Sequence, residues 1–241
     1  MRFNKQDTGR IACASLFVPL IVLALLPGRT AATRPDVSKP GGLEEADCRL
    51  LTLLDESVQQ RFKDIDKGFG YRRIIKPGDT PHRFKPENPR ELSAVAELRT
   101  ARMEVFLYVA GRSVLAKAPP DTDPKAYSRM RIKGPGAITP TDDYNDTNYL
   151  PRPEQLLDEA RAAMLAFHMT GDTYKFAVGK WKFWARPVLA SEQSCIDCHS
   201  ARLTHGFLPS LGGGVQEISS LSLRIGDPLG MVLYAYQSHA K

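Results

Sequence analysis

The strongest structural signal in the chain lies in residues 174–199, YKFAVGKWKFWARPVLASEQSCIDCH. Its first part is rich in aromatic and β-branched residues, a composition that favours β-strands. Its last part holds two cysteines three positions apart, Cys195 and Cys198, and His199 follows directly. The stretch therefore predicts β-structure that leads into a reactive Cys-Cys-His cluster.

The C-x-x-C-H spacing is the attachment signature of c-type haem. The two thiols add across the two vinyl groups of the porphyrin, and the spacing lets them reach vinyls on neighbouring pyrrole rings. The histidine that follows then becomes the proximal ligand of the iron. The sequence thus predicts one covalent haem c, with Cys195 and Cys198 as the thioethers and His199 as the iron ligand.

Two other chemistries compete for the same residues. A zinc site would use Cys195, Cys198, His199 and His205, since thiolates and imidazoles suit zinc, although the adjacent Cys198 and His199 make tetrahedral closure awkward. A thiol redox switch needs its C-x-x-C at the start of a helix after a strand, in a βαβ unit, and we do not expect that setting from the flanking sequence. Both remain alternatives to haem.

The first 32 residues are typical of an export signal. Arg2, Lys5 and Arg10 precede an apolar run over 11–26, and small residues near Ala32 offer a cleavage site. The run is shorter than the roughly 20 residues that span a bilayer, yet a retained N-terminal anchor stays an alternative. We therefore expect a periplasmic or otherwise exported protein, a compartment that suits haem attachment because bacteria carry it out after export.

The overall charge does not point to nucleic acid. The chain has 33 basic and 27 acidic residues, and removal of residues 1–32 would take away four basic residues and one acidic residue, so the net charge would fall from +6 to +3. No basic and aromatic binding motif accompanies that charge. The expected partner is a redox protein that the sequence does not identify, and a membrane only if the leader is retained.

Helical and extended segments follow in order along the mature chain. Residues 33–42 are a flexible lead-in to a haem domain over 43–241, whose first segment has helical periodicity. Residues 90–103 are expected to be helical, and residues 104–118 to form two strands that turn at Gly111. Residues 118–153 are expected to be irregular. Pro153 and Gly171 bracket a further helix.

The last segment, 217–237, is predicted to be a hairpin that turns at Gly226-Asp227-Pro228. The sequence as a whole predicts an α+β fold with the helices first and an antiparallel sheet at the end.

The C-terminal part of the chain resembles the DUF3365, or Tll0287-like, haem domain family. The matching features are an aromatic-rich strand, Ala-Arg-Pro at 185–187, Glu192, the C-x-x-C-H at 195–199, and a later strand with Gly226-Asp227 and Gly230. The match covers about the last 65 residues, and the first helix fits more weakly. The resemblance implies a PAS-like fold, an antiparallel sheet with flanking helices around one haem c.

The sixth ligand of the iron has one leading candidate, Cys48. The resemblance favours a cysteine from the N-terminal helix, and Cys48 is the one thiol of the mature chain outside the C-x-x-C-H motif. A thiolate ligand would stabilise ferric iron and lower the reduction potential. The alternative is that Cys48 is a small buried hydrophobe. His168, beside the apolar face of its helix, is expected to be a core residue rather than a ligand.

Two residues of the aromatic strand are candidates for contacts to the haem itself. Arg186 offers a guanidinium that pairs well with a propionate, and Trp184 offers a ring that would wall the haem. The alternatives are a surface salt bridge for Arg186 and plain core packing for Trp184.

Three functions follow from these expectations. The first is a low-potential electron carrier whose two iron ligands stay fixed. The second is a haem-based redox or gas sensor that signals through a partner protein. The third is an enzyme such as a peroxidase, which would need a distal acid/base pair that the sequence does not display at recognisable spacing. An electron carrier or a sensor is favoured over an enzyme, and a structural zinc protein is the alternative outside haem chemistry.

Overall fold

A central antiparallel sheet organises the computed structural model of the chain, which describes residues 42–64, 70–75, 82–116, 118, 120–139, 150–171, 173–204 and 223–238. Of residues 42–48, 70 and 201–204 it describes the backbone alone. Five strands lie within these ranges: β1 Met103–Gly111, β2 Ile132–Thr139, β3 Tyr174–Val178, β4 Trp181–Leu189 and β5 Pro228–Ser238. They pair antiparallel in the order β2-β1-β5-β4-β3.

Helices cover both faces of this sheet. Within the described ranges they are α1 Gly42–Lys63, α2 Pro89–Thr100, α3 Pro124–Arg131, α4 Pro153–Thr170 and α5 Gln193–Thr204, with short 3₁₀ helices at Gly70–Arg73 and Arg112–Leu115. The expectation of an α+β fold, an antiparallel sheet with flanking helices, is therefore confirmed.

Alternation along the two central strands divides the core into two layers. Successive side chains of a strand point to opposite faces, so β1 and β5, which are buried on both sides, serve both layers. On one face Phe106 and Leu233 pack with Phe167 of α4. On the other face Leu107 and Tyr234 pack beneath α1 and α2.

The elements with strong local signals form where the sequence predicts them. Helix α4 begins at Pro153, and Gly171 ends it in the left-handed conformation at φ 71°, which an L side chain adopts at a cost. Strands β3 and β4 form in the stretch whose composition predicts β-structure, and they pair with each other; β5 starts at Pro228 as expected. Helix α1 buries Leu51 and Val58 against the sheet.

The prediction for residues 104–118 and 118–153 is wrong in part. Strand β1 continues to Gly111 but a 3₁₀ helix follows it instead of a second strand. Residues 118–153 contain α3 and β2, whose signals are obscured by proline and glycine. Asp123 caps α3 by accepting the backbone N–H groups of Lys125 and Ala126, and β2 tolerates Pro135 because it is an edge strand.

Two expectations about the arrangement of the elements along the chain also need correction. The sheet does not follow the helices, because β1 and β2 precede α4 in the chain. The predicted hairpin over 217–237 has its second arm in β5, but most of its first arm falls outside the described residues. Strand β5 instead pairs with β1 on one side and β4 on the other.

Candidate functional site

Helix α5 carries the Cys-Cys-His cluster directly after strand β4. The chain leaves β4 at Leu189 and enters α5 at Gln193. The backbone N–H of Cys195 donates to the carbonyl of Glu192 at 3.2 Å, and the Gln193 amide donates to Asp197 at 2.8 Å. These bonds hold the first turn of α5 in helical form, so the cysteine motif is helical from its start.

Helical geometry places the three predicted haem residues on one face. Residues three and four positions apart are neighbours on a helix surface, which is the spacing of Cys198 and His199 from Cys195. Cys195 and His199 are half-buried and Cys198 is exposed. Neither cysteine forms a disulfide with another described residue. A ligand that approaches this face meets two thiols and one imidazole.

The same geometry corrects one expectation about the dithiol alternative. The C-x-x-C lies in the first turns of a helix that follows a strand, a setting that we did not expect from the flanking sequence. The strands on either side of α5, β4 and β5, pair antiparallel, so the βαβ unit that we also required does not form there. Of the two structural conditions for the dithiol alternative, the helix start after a strand is therefore met and the βαβ unit is not.

The end of the sheet from which α5 departs is closed by backbone hydrogen bonds. Ala190, just after β4, donates to the carbonyl of Asp227 at 2.9 Å and accepts from the N–H of Gly226 at 2.8 Å. Leu189 pairs with Pro228, where β5 begins. The turn before β5 and the start of α5 are thus joined, and we call this the α5 end of the sheet.

Arg186 and Trp184 lie on β4 beneath helix α1. The Arg186 Nε donates to Asp55 Oδ2 at 2.8 Å, and the Arg186 guanidinium lies 5.0 Å from the centre of the Trp184 ring. Asp55 is buried, and its Oδ1 accepts a hydrogen bond from the Tyr234 hydroxyl at 3.0 Å. Burial raises the pKa of Tyr234 well above its ordinary value, and the Asp55 carboxylate raises it further. The contacts predicted for Arg186 and Trp184 with haem stay predictions.

Cys48 lies in helix α1, seven residues before Asp55. Seven residues are close to two helical turns, so both positions fall on the same face of α1, the face on which Leu51 is buried. The side chain of Cys48 lies outside what the structure describes, and its role as the distal ligand stays a prediction. What the structure adds is that this face of α1 meets β4, the strand that leads to α5.

A second group of charged side chains gathers at the α5 end, and sequence reasoning missed most of it. Arg112 follows the last residue of β1, and it interacts electrostatically with Asp227 and with His168 of α4. His168 is exposed, so its expected place in the core is wrong. Its pKa is lowered, first by partial burial and then by Arg112, so its imidazole is neutral at neutral pH. No sequence motif marks Arg112, because strand pairing alone brings it here.

The guanidinium of Arg112 is incompletely paired. Its Nε and Nη1 are buried and have no hydrogen-bond partner in the part of the chain that the structure describes. Buried polar groups are nearly always hydrogen-bonded, so each exception asks for an explanation. An anionic group of a bound ligand is one such explanation.

The donor set at the α5 end fits a haem c. It offers two thiols and an imidazole on one helix face, together with a guanidinium of which two nitrogens have no hydrogen-bond partner among the described residues. Within the described ranges no three His, Cys, Asp or Glu side chains lie close enough together to hold a metal ion by themselves. His205, the fourth ligand of the zinc alternative, lies outside those ranges.

The segment with the predicted export signal also lies outside the described residues. Among the helices that the structure does describe, none combines the length and apolar character needed to cross a membrane. Comparison with protein-family models, with curated proteins and with solved structures finds no match for this chain. The resemblance to the Tll0287-like family therefore remains a prediction that depends on the motifs themselves.

Proposed function

We propose that this chain is an exported, single-haem c-type protein with a PAS-like fold that acts in low-potential electron transfer or redox sensing. One observation carries the proposal: α5 sets Cys195, Cys198 and His199 on a single face and leaves Cys198 exposed. The five-stranded antiparallel sheet with helices on both faces supports the PAS-like part of it.

Each residue has a defined task in this proposal. Cys195 and Cys198 tether the porphyrin, so the group stays bound in the dilute medium outside the cytoplasm. His199 would be one protein ligand of the iron, and Cys48 of α1 is the candidate for a second. The haem, when bound, supplies reversible one-electron chemistry, whose potential is tuned by the axial ligands and their surroundings. A thiolate from Cys48 would place that potential low.

The test is covalent haem attachment to the full chain, exported in bacteria that assemble c-type cytochromes. We expect haem to stay on the denatured wild-type protein, and its reduced pyridine complex to show the thioether-type spectrum. Replacement of both thiols, C195A with C198A, should abolish attachment. The S194A variant is the matched control, because Ser194 is exposed in the same turn and does not share the cluster's spacing. A wild-type protein without covalent haem would overturn the proposal.

A dithiol redox protein is the second candidate, favoured by the position of the C-x-x-C in the first turns of α5. It predicts a protein without haem whose Cys195 and Cys198 form a disulfide that reductants reverse. Thiol labelling before and after reduction of the exported protein separates the two candidates. In the haem protein both sulfurs are thioethers, so neither should label under either condition.

A further inference from the structure

The position of Arg112 is fixed by close contact between two strands. Gly111 at the end of β1 pairs with Gly230 of β5, which in turn pairs with Val188 of β4. A Cβ at Gly230 would lie 2.7 Å from the carbonyl oxygen of Ala110, so the two backbones approach as closely as glycine allows. Arg112 therefore leaves the sheet at the same level as the end of β4, the strand that leads to α5.

The described part of the fold supplies acceptors to the buried side chain of Arg61, but not to the two buried nitrogens of Arg112. Arg61 donates to both carboxylate oxygens of Glu91 and to the carbonyl of Lys85. Within the described residues, two buried nitrogens of Arg112 have no hydrogen bond. An unsatisfied buried donor destabilises the folded state, and the effect is larger when the group is charged. The contrast between the two arginines indicates that the acceptor for these two nitrogens of Arg112 lies outside the part of the chain that the structure describes.

Neighbouring groups define what that partner must be. The Asp227 carboxylate accepts the backbone N–H of Arg224 at 2.9 Å and reaches Arg112 only through space. A second guanidinium, that of Arg131, has a buried Nε without a hydrogen-bond partner, and the pairing of Ile132 with Ala110 sets it near this end of β1. Guanidinium nitrogens that lack an acceptor among the described residues, at one end of a sheet, fit an external acceptor that carries negative charge.

We infer that Arg112 binds a carboxylate of the haem tethered to α5, one of its two propionates. The inference rests on the proposed function. It differs from the sequence-based expectation, which gave that task to Arg186. The Nε of Arg186 already donates to Asp55, so one of its guanidinium donors is occupied by a protein carboxylate. The guanidinium of Arg112 has no such partner, and a planar carboxylate accepts two of its N–H groups at once.

The test compares haem reduction potentials in the full chain loaded with haem. R112Q removes the cation, leaves the propionate charge uncompensated near the iron, and should lower the midpoint potential because negative charge favours ferric iron. R112K keeps the positive charge, so its midpoint potential should stay close to that of the wild-type protein. R224Q is the matched control, because Arg224 is an exposed arginine beside the same turn. We expect it to leave the potential unchanged.

The outcomes separate this inference from the proposed function. Wild-type protein without covalent haem overturns both. Haem-loaded R112Q with an unchanged potential, or with a shift no larger than that of R224Q, overturns the role of Arg112 alone. Without haem, R112Q should be at least as stable as wild type, since the substitution removes a guanidinium whose two buried nitrogens lack hydrogen bonds within the described residues. Marked destabilisation of the haem-free protein would mean that Arg112 has a structural partner, which also overturns the inference. Failure of R112Q to fold would count as such a destabilisation.

Discussion

Asp55 connects α1 to two strands of the sheet through buried hydrogen bonds. Its buried carboxylate joins Arg186 of β4, Tyr234 of β5 and Gln59 of its own helix. We expect D55N to lower the free energy of unfolding by about 2 kcal/mol, because hydrogen bonds to a buried charged group are worth more than neutral ones. Urea denaturation of the two proteins measures the difference.

The control for D55N is D158N. Asp158 forms an ion pair with Arg161 at 3.2 Å, but its side chain is 96% exposed. Exposed pairs of this kind contribute little, so D158N should change stability by less than about 0.5 kcal/mol. Equal effects of D55N and D158N would show that the Asp55 cluster does not anchor α1.

Because of Tyr234, we expect the protein to lose stability at alkaline pH. Burial and the Asp55 carboxylate raise its pKa well above the ordinary value, so the folded protein keeps the proton after the unfolded chain has lost it. Unfolding then releases a proton, and the free energy of unfolding falls as pH rises above about 10, the pKa of an unperturbed tyrosine. We expect Y234F to be less stable than wild type at neutral pH by about 1 kcal/mol, through the lost hydrogen bond.

The same substitution should flatten the alkaline decline. Stability measured by urea denaturation between pH 8 and 11, a range chosen around the tyrosine pKa of about 10, will test this. Tyr174 also has a raised pKa, through burial and Glu159, so a weaker decline should persist in Y234F. Parallel pH curves for the two proteins would exclude Tyr234 as the source.

At the scale of the elements, two carboxylate–guanidinium pairs join α1 to α2 in very different surroundings. Glu91 and Arg61 are buried, whereas Glu56 and Arg90 are about half exposed. We expect E91Q to destabilise by roughly 3–5 kcal/mol, because it leaves the buried Arg61 without its counter-charge. The E56Q variant should cost less than about 1 kcal/mol. Thermal and urea denaturation of both variants will show the contrast, and similar losses would contradict it.

The Glu91 pair also predicts acid sensitivity. Burial alone would raise the pKa of Glu91, but hydrogen bonds from Arg61, from the Glu87 backbone and from Ser57 lower it below the ordinary value. Its contribution to stability is therefore complete above the pKa of the unfolded carboxyl, about 4.3, and is lost as pH falls through the lower folded value. In E91Q this part of the acid decline should be absent.

Elements with short-range signals could be predicted from the sequence, and those that depend on a neighbour could not. Pro153 and Gly171 mark α4 locally, and the residues of β3 and β4 favour strands by composition. Strand β2 reads as a loop because Gly134 and Gly136 interrupt it. Both positions need glycine because a side chain would collide with a neighbour. A Cβ at Gly134 would lie 2.8 Å from the Leu107 carbonyl oxygen, and a Cβ at Gly136 would collide with the Ile75 side chain.

The candidate site likewise contains some residues that the local sequence predicts and others that only the tertiary fold brings together. Spacing alone predicts that Cys195, Cys198 and His199 act together, because a helix brings those positions to one face. Arg112 has no local signal, since it reaches the α5 end through the pairing of β1 with β5. The contact of Arg186 with Asp55, 131 residues apart in the chain, likewise depends on the whole fold.

At the scale of the whole molecule, the described contacts link the two segments that hold the proposed iron ligands. His199 lies on α5, which follows β4, and Arg186 of β4 bonds to Asp55 of α1, the helix that contains Cys48. If haem is bound as proposed, a change at its iron would have a continuous chain of contacts to α1. Such a route is necessary for a sensor and dispensable for an electron carrier, and only the lability of the sixth ligand distinguishes them.

Carbon monoxide on the reduced, haem-loaded protein measures that lability. We expect C48A to bind carbon monoxide with a clear shift of its visible bands, and to differ from wild type when oxidised, because the substitution removes the thiolate from the iron. The control is H168A, since His168 is an exposed imidazole near Arg112 and should not alter the spectrum. An unchanged C48A spectrum would exclude Cys48, and a shift in H168A would transfer the role to His168. Wild-type protein that ignores carbon monoxide would then have two firm ligands and act as an electron carrier, whereas a wild-type shift would mean a labile sixth position, which a sensor or an enzyme requires and which would favour the sensor.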